Sequence, residues 1–433
     1  MRLTIPRKIN IIKAYSFLLW ITVFIGAYIL SLNVGFKLSL YRILLLFSPF
    51  LFFFAMKNYG GTLKKSVNFI YFQFLIVWIV YSIFCLIFVI DYSTWANYFL
   101  FLLCGTISSW FIGMSFSSKE DFTLLFKWLE IFTFFIILHG LYESLTGNYY
   151  FVTDALDLEA LSYSNVFNKI VNVKQPMSIL GNPNNYAFFV VFSFFISLAM
   201  VKLKRSIRGK CFSMLTCIMI IYLIIATQSR SGLLGLSAGL LTMFVIYFWN
   251  SSLNKKIKIF FVCVFCLSLF YGWVSFQDNI SLKLVEFNTE QQGGSDNIRI
   301  NLVKNGFVIL KNTYFLGTGL GNIEHHMSQQ PGTHGITNMH NWWLEILVSS
   351  GVIIFFLYVF IYLRNILLLY RASSVKDKKM AFVSKCMLGF SIAFIIACMG
   401  PSSCMIVEWM WPCIAMCMAF TNVLIQKNNR YIK

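Results

Sequence analysis

The chain is written in long apolar runs separated by short polar ones. Twelve stretches approach the ~20 mostly apolar residues that a membrane-crossing helix needs. They are 14–32, 38–56, 67–90, 95–116, 122–143, 185–203, 211–227, 232–249, 258–276, 343–363, 383–399 and 404–424. All are longer than the ~10-residue strands of a membrane barrel, and lipid-exposed backbone must satisfy its own hydrogen bonds. The pattern predicts an all-α, polytopic membrane protein. Runs 211–227 and 232–249 are divided only by a polar hinge, Gln228–Ser231. The first run has a basic flank (Arg2, Arg7, Lys8, Lys13) but no small-residue cleavage site, and a second run follows at once. It reads as a retained helix rather than a cleaved signal. Two polar stretches interrupt the pattern, 144–184 and 277–342, and loops of such length in a compact protein are usually functional. The second contains a helix-like segment, Ile298–Lys311, with apolar residues at Ile298, Leu302, Phe307, Ile309 and Leu310. With no repeat or soluble domain in view, 1–433 reads as a single integral membrane domain.

Composition sharpens this picture. Only 12% of residues are charged, about half of what a soluble domain carries, which excludes a soluble enzyme or a disordered chain. The formal charge of +19 has two readings, a nucleic-acid footprint or a record of topology. Placing the N-terminus inside and alternating decides between them. Then 26 of the 35 basic residues and four of the 16 acids fall on the inner side, so the inner face carries +22 and the outer face −3. Both termini are cytoplasmic, both long loops are outside, and no nucleic-acid partner is implied. The 11 cysteines lie mostly within runs and none lies in either long loop, so zinc and disulfide frameworks are not expected.

Candidate chemistry gathers on the outer side. Arg230 lies in the hinge Gln228-Ser229-Arg230-Ser231-Gly232, with no acid near it in sequence. It is either an interfacial snorkelling arginine or a fork for phosphate or pyrophosphate. Arg299 opens the helix-like segment, and Lys304 and Lys311 follow on it. They form a solvated basic face or a second phosphate clamp. Four of the five histidines, His325, His326, His334 and His340, occupy the large loop. Their spacing matches no zinc pattern, and no metal is assigned. His340, in Met339-His340-Asn341-Trp342-Trp343, is either part of an aromatic belt or a neutral imidazole able to take a proton from a sugar hydroxyl. Gly317-Thr318-Gly319-Leu320-Gly321-Asn322 lacks the Gly-Lys-Ser/Thr of a phosphate-binding loop and reads as a tight turn. Gly181-Asn182-Pro183-Asn184-Asn185 reads as a turn that caps the helix after it.

In this order, with Tyr142-Glu143 and Thr146-Gly147 before them and His340-Asn341-Trp342-Trp343-Leu344-Glu345 and Gly351 at the end, these segments resemble the bacterial O-antigen ligase and polymerase superfamily of membrane glycosyltransferases. The resemblance spans about residues 140–355. It implies a glycan donor on undecaprenyl diphosphate, no cofactor or metal, and an inverting transfer on the outer face of the bacterial cytoplasmic membrane. It implies that Arg230 and Arg299 hold the departing diphosphate and that His340 is the general base. Asn184, Asn185, Asn341, Gly319, Gly321, His334 and Glu345 are the candidates for contacting substrate. Partners would be the lipid-linked donor and acceptor, membrane lipid, and a chain-length regulator protein. Two activities share this pattern. A repeat-unit polymerase is favoured by the Gly-Asn-Pro-Asn-Asn segment and the two tryptophans after His340, and an O-antigen ligase acting on lipid A core is the alternative. A transporter or flippase also stays open. It would place charges or broken helices at mid-membrane, where this sequence has few, Glu130 lying in the inner half of its run. A non-enzymatic assembly scaffold is the last reading.

Overall fold

The computed structural model describes residues 11–29, 31–33, 37–150, 174–249 and 295–428. The expected run 258–276 lies outside these residues, as do 151–173 and 277–294 of the two long loops. In chain order the elements are α1 (Ile11–Ile29), a small antiparallel hairpin of β1 (Ser31–Asn33) and β2 (Lys37–Ser39), α2 (Leu40–Leu46), α3 (Ser48–Lys64), α4 (Phe69–Phe84), α5 (Tyr92–Ser115), α6 (Lys119–Thr146) and α7 (Pro183–Leu203). Then follow α8 (Ile207–Thr227), α9 (Arg230–Trp249), α10 (Ser295–Asn312), α11 (Ile323–Ser328), α12 (Trp342–Ala372), α13 (Lys378–Ala397) and α14 (Met410–Asn428). Among the described residues eight helices are long and apolar enough to cross a membrane, or nine if the bent pair α2 and α3 counts as one span. The protein is an all-α polytopic membrane protein, and α10 covers the helix-like segment of the large loop.

Two expected spans differ in shape. Run 38–56 is broken into α2 and α3 with a 62° bend. Pro49 sits in the first turn of α3, and a proline inside a continuous helix would lose a hydrogen bond and clash with the preceding turn. Run 404–424 becomes a helix only at Met410. Starting at 404 would put Pro412 in the helix interior, at a cost of ~3 kcal/mol. Starting at 410 puts it in the first turn, where backbone N–H groups have no intrahelical partner anyway. Residues 404–409 are freed for other contacts.

Helix α7 is the hub. Its most apolar window is 83% buried, against 28% for α9, so among the described residues α7 is wrapped by helices and α9 is packed on fewer sides. A helix apolar on all sides is a buried one. Helices α9 and α13 meet through small residues, the arrangement that lets membrane helices approach closely. A Cβ added at Gly239 would stand 2.5 Å from the Gly389 carbonyl oxygen and 2.4 Å from Phe195, and one at Gly235 would stand 2.8 Å from the Ala393 carbonyl oxygen. Gly239→Ala is therefore expected to destabilise by ~1–3 kcal/mol, the range for overpacking a well-filled core. Thermal melting in detergent checks this, and an unchanged Tm would mean the helices have room.

Polar contacts sort the connecting segments onto two ends of the bundle. One end holds Lys13–Asp121 (2.7 Å), Lys119–Asp377 (2.5 Å) and the Lys204–Glu130 pair, to which Ser213 also donates. Glu130 is thus taken up by Lys204, the residue that ends α7, rather than forming a mid-membrane network. The other end holds Arg42–Glu408 (2.5 Å), Tyr98 donating to Glu324 (2.8 Å) and Gln175 donating to Gln228 (3.1 Å). Every segment singled out in the sequence for chemistry lies at this second end.

Candidate functional site

The site is assembled from four backbone segments that enter or leave helices at that end. The first leads into α7. Asn182 caps the helix by accepting from the Asn184 N–H (2.8 Å), with Pro183 in the first turn. Both residues suit a helix start. The loop before it is held by Glu143, near the end of α6. Its fully buried carboxylate accepts from the N–H groups of Met177 (2.9 Å) and Ser178 (2.6 Å) and lies 3.4 Å from His139. Asn185 donates to the Leu180 carbonyl (3.4 Å), and its buried side-chain oxygen has no hydrogen-bond partner among the described residues. A buried polar atom of this kind calls for an explanation, and a ligand group is one.

The second segment is the α8–α9 hinge. Helix α8 ends at Thr227, and Gln228 closes it in the left-handed conformation (φ +55°). Gln228 accepts from Gln175, which ties this hinge to the first loop. Ser229 accepts from the Gly232 N–H (3.3 Å) and so starts α9. Arg230 is its first residue and is exposed. A guanidinium beside the N-terminal amides of a 20-residue helix suits an anion.

The third segment runs from α10 to α12. Arg299 is half-buried on α10. Farther along α10, Asn301 and Asn305 donate to the carbonyls of Gly332 (3.2 Å) and Pro331 (3.0 Å), fastening the turn that carries the exposed His334. Met339 packs with Leu302, Ile309 and Val348 in a small core of its own. His340 follows in the left-handed region (φ +48°), a conformation uncommon outside glycine and a mark of a constrained position. Asn341 caps α12 by accepting from Trp343 N–H (3.0 Å) and Leu344 N–H (3.3 Å).

The fourth segment, 398–408, joins α13 to α14. The His340 N–H donates to the Ser402 carbonyl (3.1 Å) and the Trp342 N–H to the Cys398 carbonyl (3.2 Å). The buried Glu345 carboxylate accepts from the Ser403 hydroxyl and from the Cys404 N–H (2.9 Å). This segment is therefore clamped against the start of α12 from both sides. Gly400 lies within it. A Cβ there would stand 2.3 Å from the Ser231 hydroxyl oxygen and 3.5 Å from the Asn184 Cβ. The backbone around Gly400 is thus the meeting point of the α7 entrance, the arginine hinge and the His340 loop.

Electrostatics ties Arg299 to the same place. The His340 ring is held below the ordinary histidine pKa, first by burial, then by the positive charge of Arg299, with the Gly400 carbonyl acting the other way. Its buried Nδ1 has no hydrogen-bond partner among the described residues. Burial and a cation both disfavour a charged imidazole, so His340 stays neutral and able to accept a proton at neutral pH.

Other residues singled out in the sequence have different surroundings. Gly319 and Gly321 are buried. Their turn hydrogen-bonds into a break in α12, with Thr318 N–H donating to Val348 O and Gly319 N–H to Ser349 O (both 2.9 Å), next to Gly351 at φ +74°. An added Cβ would stand 2.5 Å from Val89 at Gly319 and 2.7 Å from Tyr98 at Gly321. The glycines let the large loop dock on the α4–α5 connection. The Asn341 and Glu345 side chains are likewise engaged by backbone. Among the described residues no group of three or more His, Cys, Asp or Glu side chains is placed to hold a metal ion. Sequence reading missed the 398–404 segment, although Gly400-Pro401-Ser402-Ser403 carries the residues of a turn. It also missed how Glu143 and the Gln175–Gln228 pair brace the site.

Known proteins bear directly on this constellation. Residues 215–359 match the family model for O-antigen ligase. The matched region contains Arg230, Arg299 and His340. The whole chain is also similar to the teichuronic acid biosynthesis protein TuaE of Bacillus subtilis (strain 168), at 24% identity over 96% of this chain and 86% of that protein. The resemblance read from the motifs is borne out, and the protein is a multi-pass membrane protein with an O-antigen-ligase-like region.

Proposed function

We propose that the protein polymerises oligosaccharide repeat units carried on undecaprenyl diphosphate, by inverting glycosyl transfer on the outer face of the bacterial cytoplasmic membrane. The observation that carries this reading is the convergence at Gly400 of the Asn184 segment, the Arg230 hinge and the His340 loop, with Arg299 acting on the imidazole. His340 would take the proton of the acceptor hydroxyl as that oxygen attacks the sugar carbon bearing the diphosphate. Arg230, at a helix N-terminus, and Arg299 would bind the diphosphate and stabilise its charge as it departs. The donor and acceptor would be the lipid-linked glycans, entering from the bilayer. Asn185, whose buried oxygen has no partner among the described residues, and the exposed His334 are the candidates for sugar contacts. The likeness to a protein of teichuronic acid biosynthesis supports assembly of a polymer. The family model's own description favours the second reading, transfer of a finished glycan to lipid A core.

Purified protein supplied with lipid-linked repeat units and no nucleotide sugar is expected to make a polymer ladder. Product only when lipid A core is added would select the ligase, and no product with either acceptor would sink both readings. The pH profile is a second check. A base must be neutral to act, so the rate rises as His340 loses its proton. Because its pKa lies below the usual value of ~6.5, the rate is expected to be flat above about that pH and to fall only below it. An acidic limb centred above pH 7 would contradict the assignment.

A further inference from the structure

The opposite end of the bundle holds a cleft of about 640 Å³ between the starts of α6 and α13 and the end of α7. Five cations line it: Lys119, Lys127, Lys204, Arg205 and Lys379. Two are matched by carboxylates, Lys119 by Asp377 at 2.5 Å and Lys204 by Glu130. Lys127, Arg205 and Lys379 have no carboxylate within ion-pair range among the described residues, and all three are exposed. One further acid, Glu120, borders the cleft. The rest of the lining includes apolar Leu124, Met200, Leu203 and Met380, and Leu124 is 53% exposed.

Three unmatched cations, Lys127 on α6, Arg205 in the α7–α8 connection and Lys379 on α13, stand beside an apolar wall and give the cleft one charged side and one oily side. Like charges that line one cleft repel one another. A ligand that brings negative charge to the cations and hydrocarbon to the wall relieves both mismatches. Basic pockets between membrane helices near the surface suit phosphate-bearing lipid headgroups, and Arg forks onto phosphate oxygens more readily than any other side chain. We propose that this cleft binds an anionic phospholipid, its headgroup phosphate meeting Lys127, Arg205 and Lys379 and its first acyl carbons lying on Leu124 and the wall beside it. The three helices that form the cleft are the ones whose far ends carry Glu143, Asn184 and the approach to Gly400. A lipid there braces, from the other side of the membrane, the helices that build the candidate site.

The test uses the full chain purified in detergent, followed by native mass spectrometry and thermal melting. The probes are phosphatidylglycerol, phosphatidylcholine and inorganic phosphate. Phosphatidylglycerol is expected to be retained at least tenfold better than phosphatidylcholine and to raise Tm. High salt should weaken that retention, because screening falls on exposed charges. The Lys127→Gln/Arg205→Gln/Lys379→Gln triple variant should lose the preference, and Lys127→Arg/Lys379→Arg should keep it. If the triple variant does not fold, Arg205→Gln alone and the salt titration of the unaltered protein decide. Equal retention of both lipids, or a preference untouched by the triple substitution, would overturn the proposal. Stabilisation by millimolar phosphate equal to that by lipid, and lost in the triple variant, would overturn the lipid as the source of the phosphate.

Discussion

Replacing His340 with alanine is expected to lower turnover of lipid-linked repeat units by about 10²–10⁴-fold, the span usually supplied by a positioned general base. The expectation follows from two features. Burial and Arg299 both disfavour the charged ring, so the neutral form, the competent base, is favoured at neutral pH. Its backbone is pinned to Ser402 and Trp342 is pinned to Cys398, so the imidazole keeps its place beside Gly400. His340→Asn is the better control for folding, because asparagine tolerates the left-handed backbone that His340 adopts (φ +48°). The asparagine variant should melt like the unaltered protein, and both variants should lose the ladder. Ladders of normal length from either would remove His340 as the base.

Loss of either arginine comes next in size. Arg230→Ala and Arg299→Ala are each expected to raise the barrier by ~2.7–4 kcal/mol, the scale for removing one preorganised charge-stabilising donor. That corresponds to about 10²–10³-fold in rate. Lysine should restore only part of it, since an ammonium cannot fork onto two phosphate oxygens. The two arginines differ in one respect that separates chemistry from packing. Arg299 also depresses the His340 pKa, so Arg299→Ala should move the acidic limb of the pH profile upward. Arg230 is absent from the influences on His340, so Arg230→Ala should leave that limb in place. Rates unchanged in both variants would return these residues to an interfacial role.

The variants also bear on the competing readings. A transporter would depend on polar groups in the middle of the bundle. The buried Glu130 instead pairs with Lys204, the partly exposed residue that ends α7, and the pair lies at the end opposite His340. An assembly scaffold would tolerate loss of His340, Arg230 and Arg299 with no change in polymer length.

The sequence by itself determined the all-α membrane character, the helices of the described residues and the gathering of the candidate segments at one end of the bundle. These are local or additive properties: a run of apolar residues prefers lipid wherever it sits, and each basic residue counts alone. The helix over Ile298–Lys311 was legible for the same reason. Even Pro49 and Pro412 act locally, by breaking α2 from α3 and by delaying α14. The family motifs pointed to Arg230, Arg299 and His340, but not to how they could act together. Tertiary structure decided which backbone segments meet around them. Gly400 became central because it lies against Ser231 and Asn184, residues about 170 and 220 positions earlier in the chain. Glu143 proved to be a brace because Met177 and Ser178 fold back onto it. Gly319 and Gly321 proved to be docking points because Val89 and Tyr98 occupy the space a side chain would need. Such pairings depend on how helices pack, and packing brings together groups whose separation along the chain carries no trace of the contact.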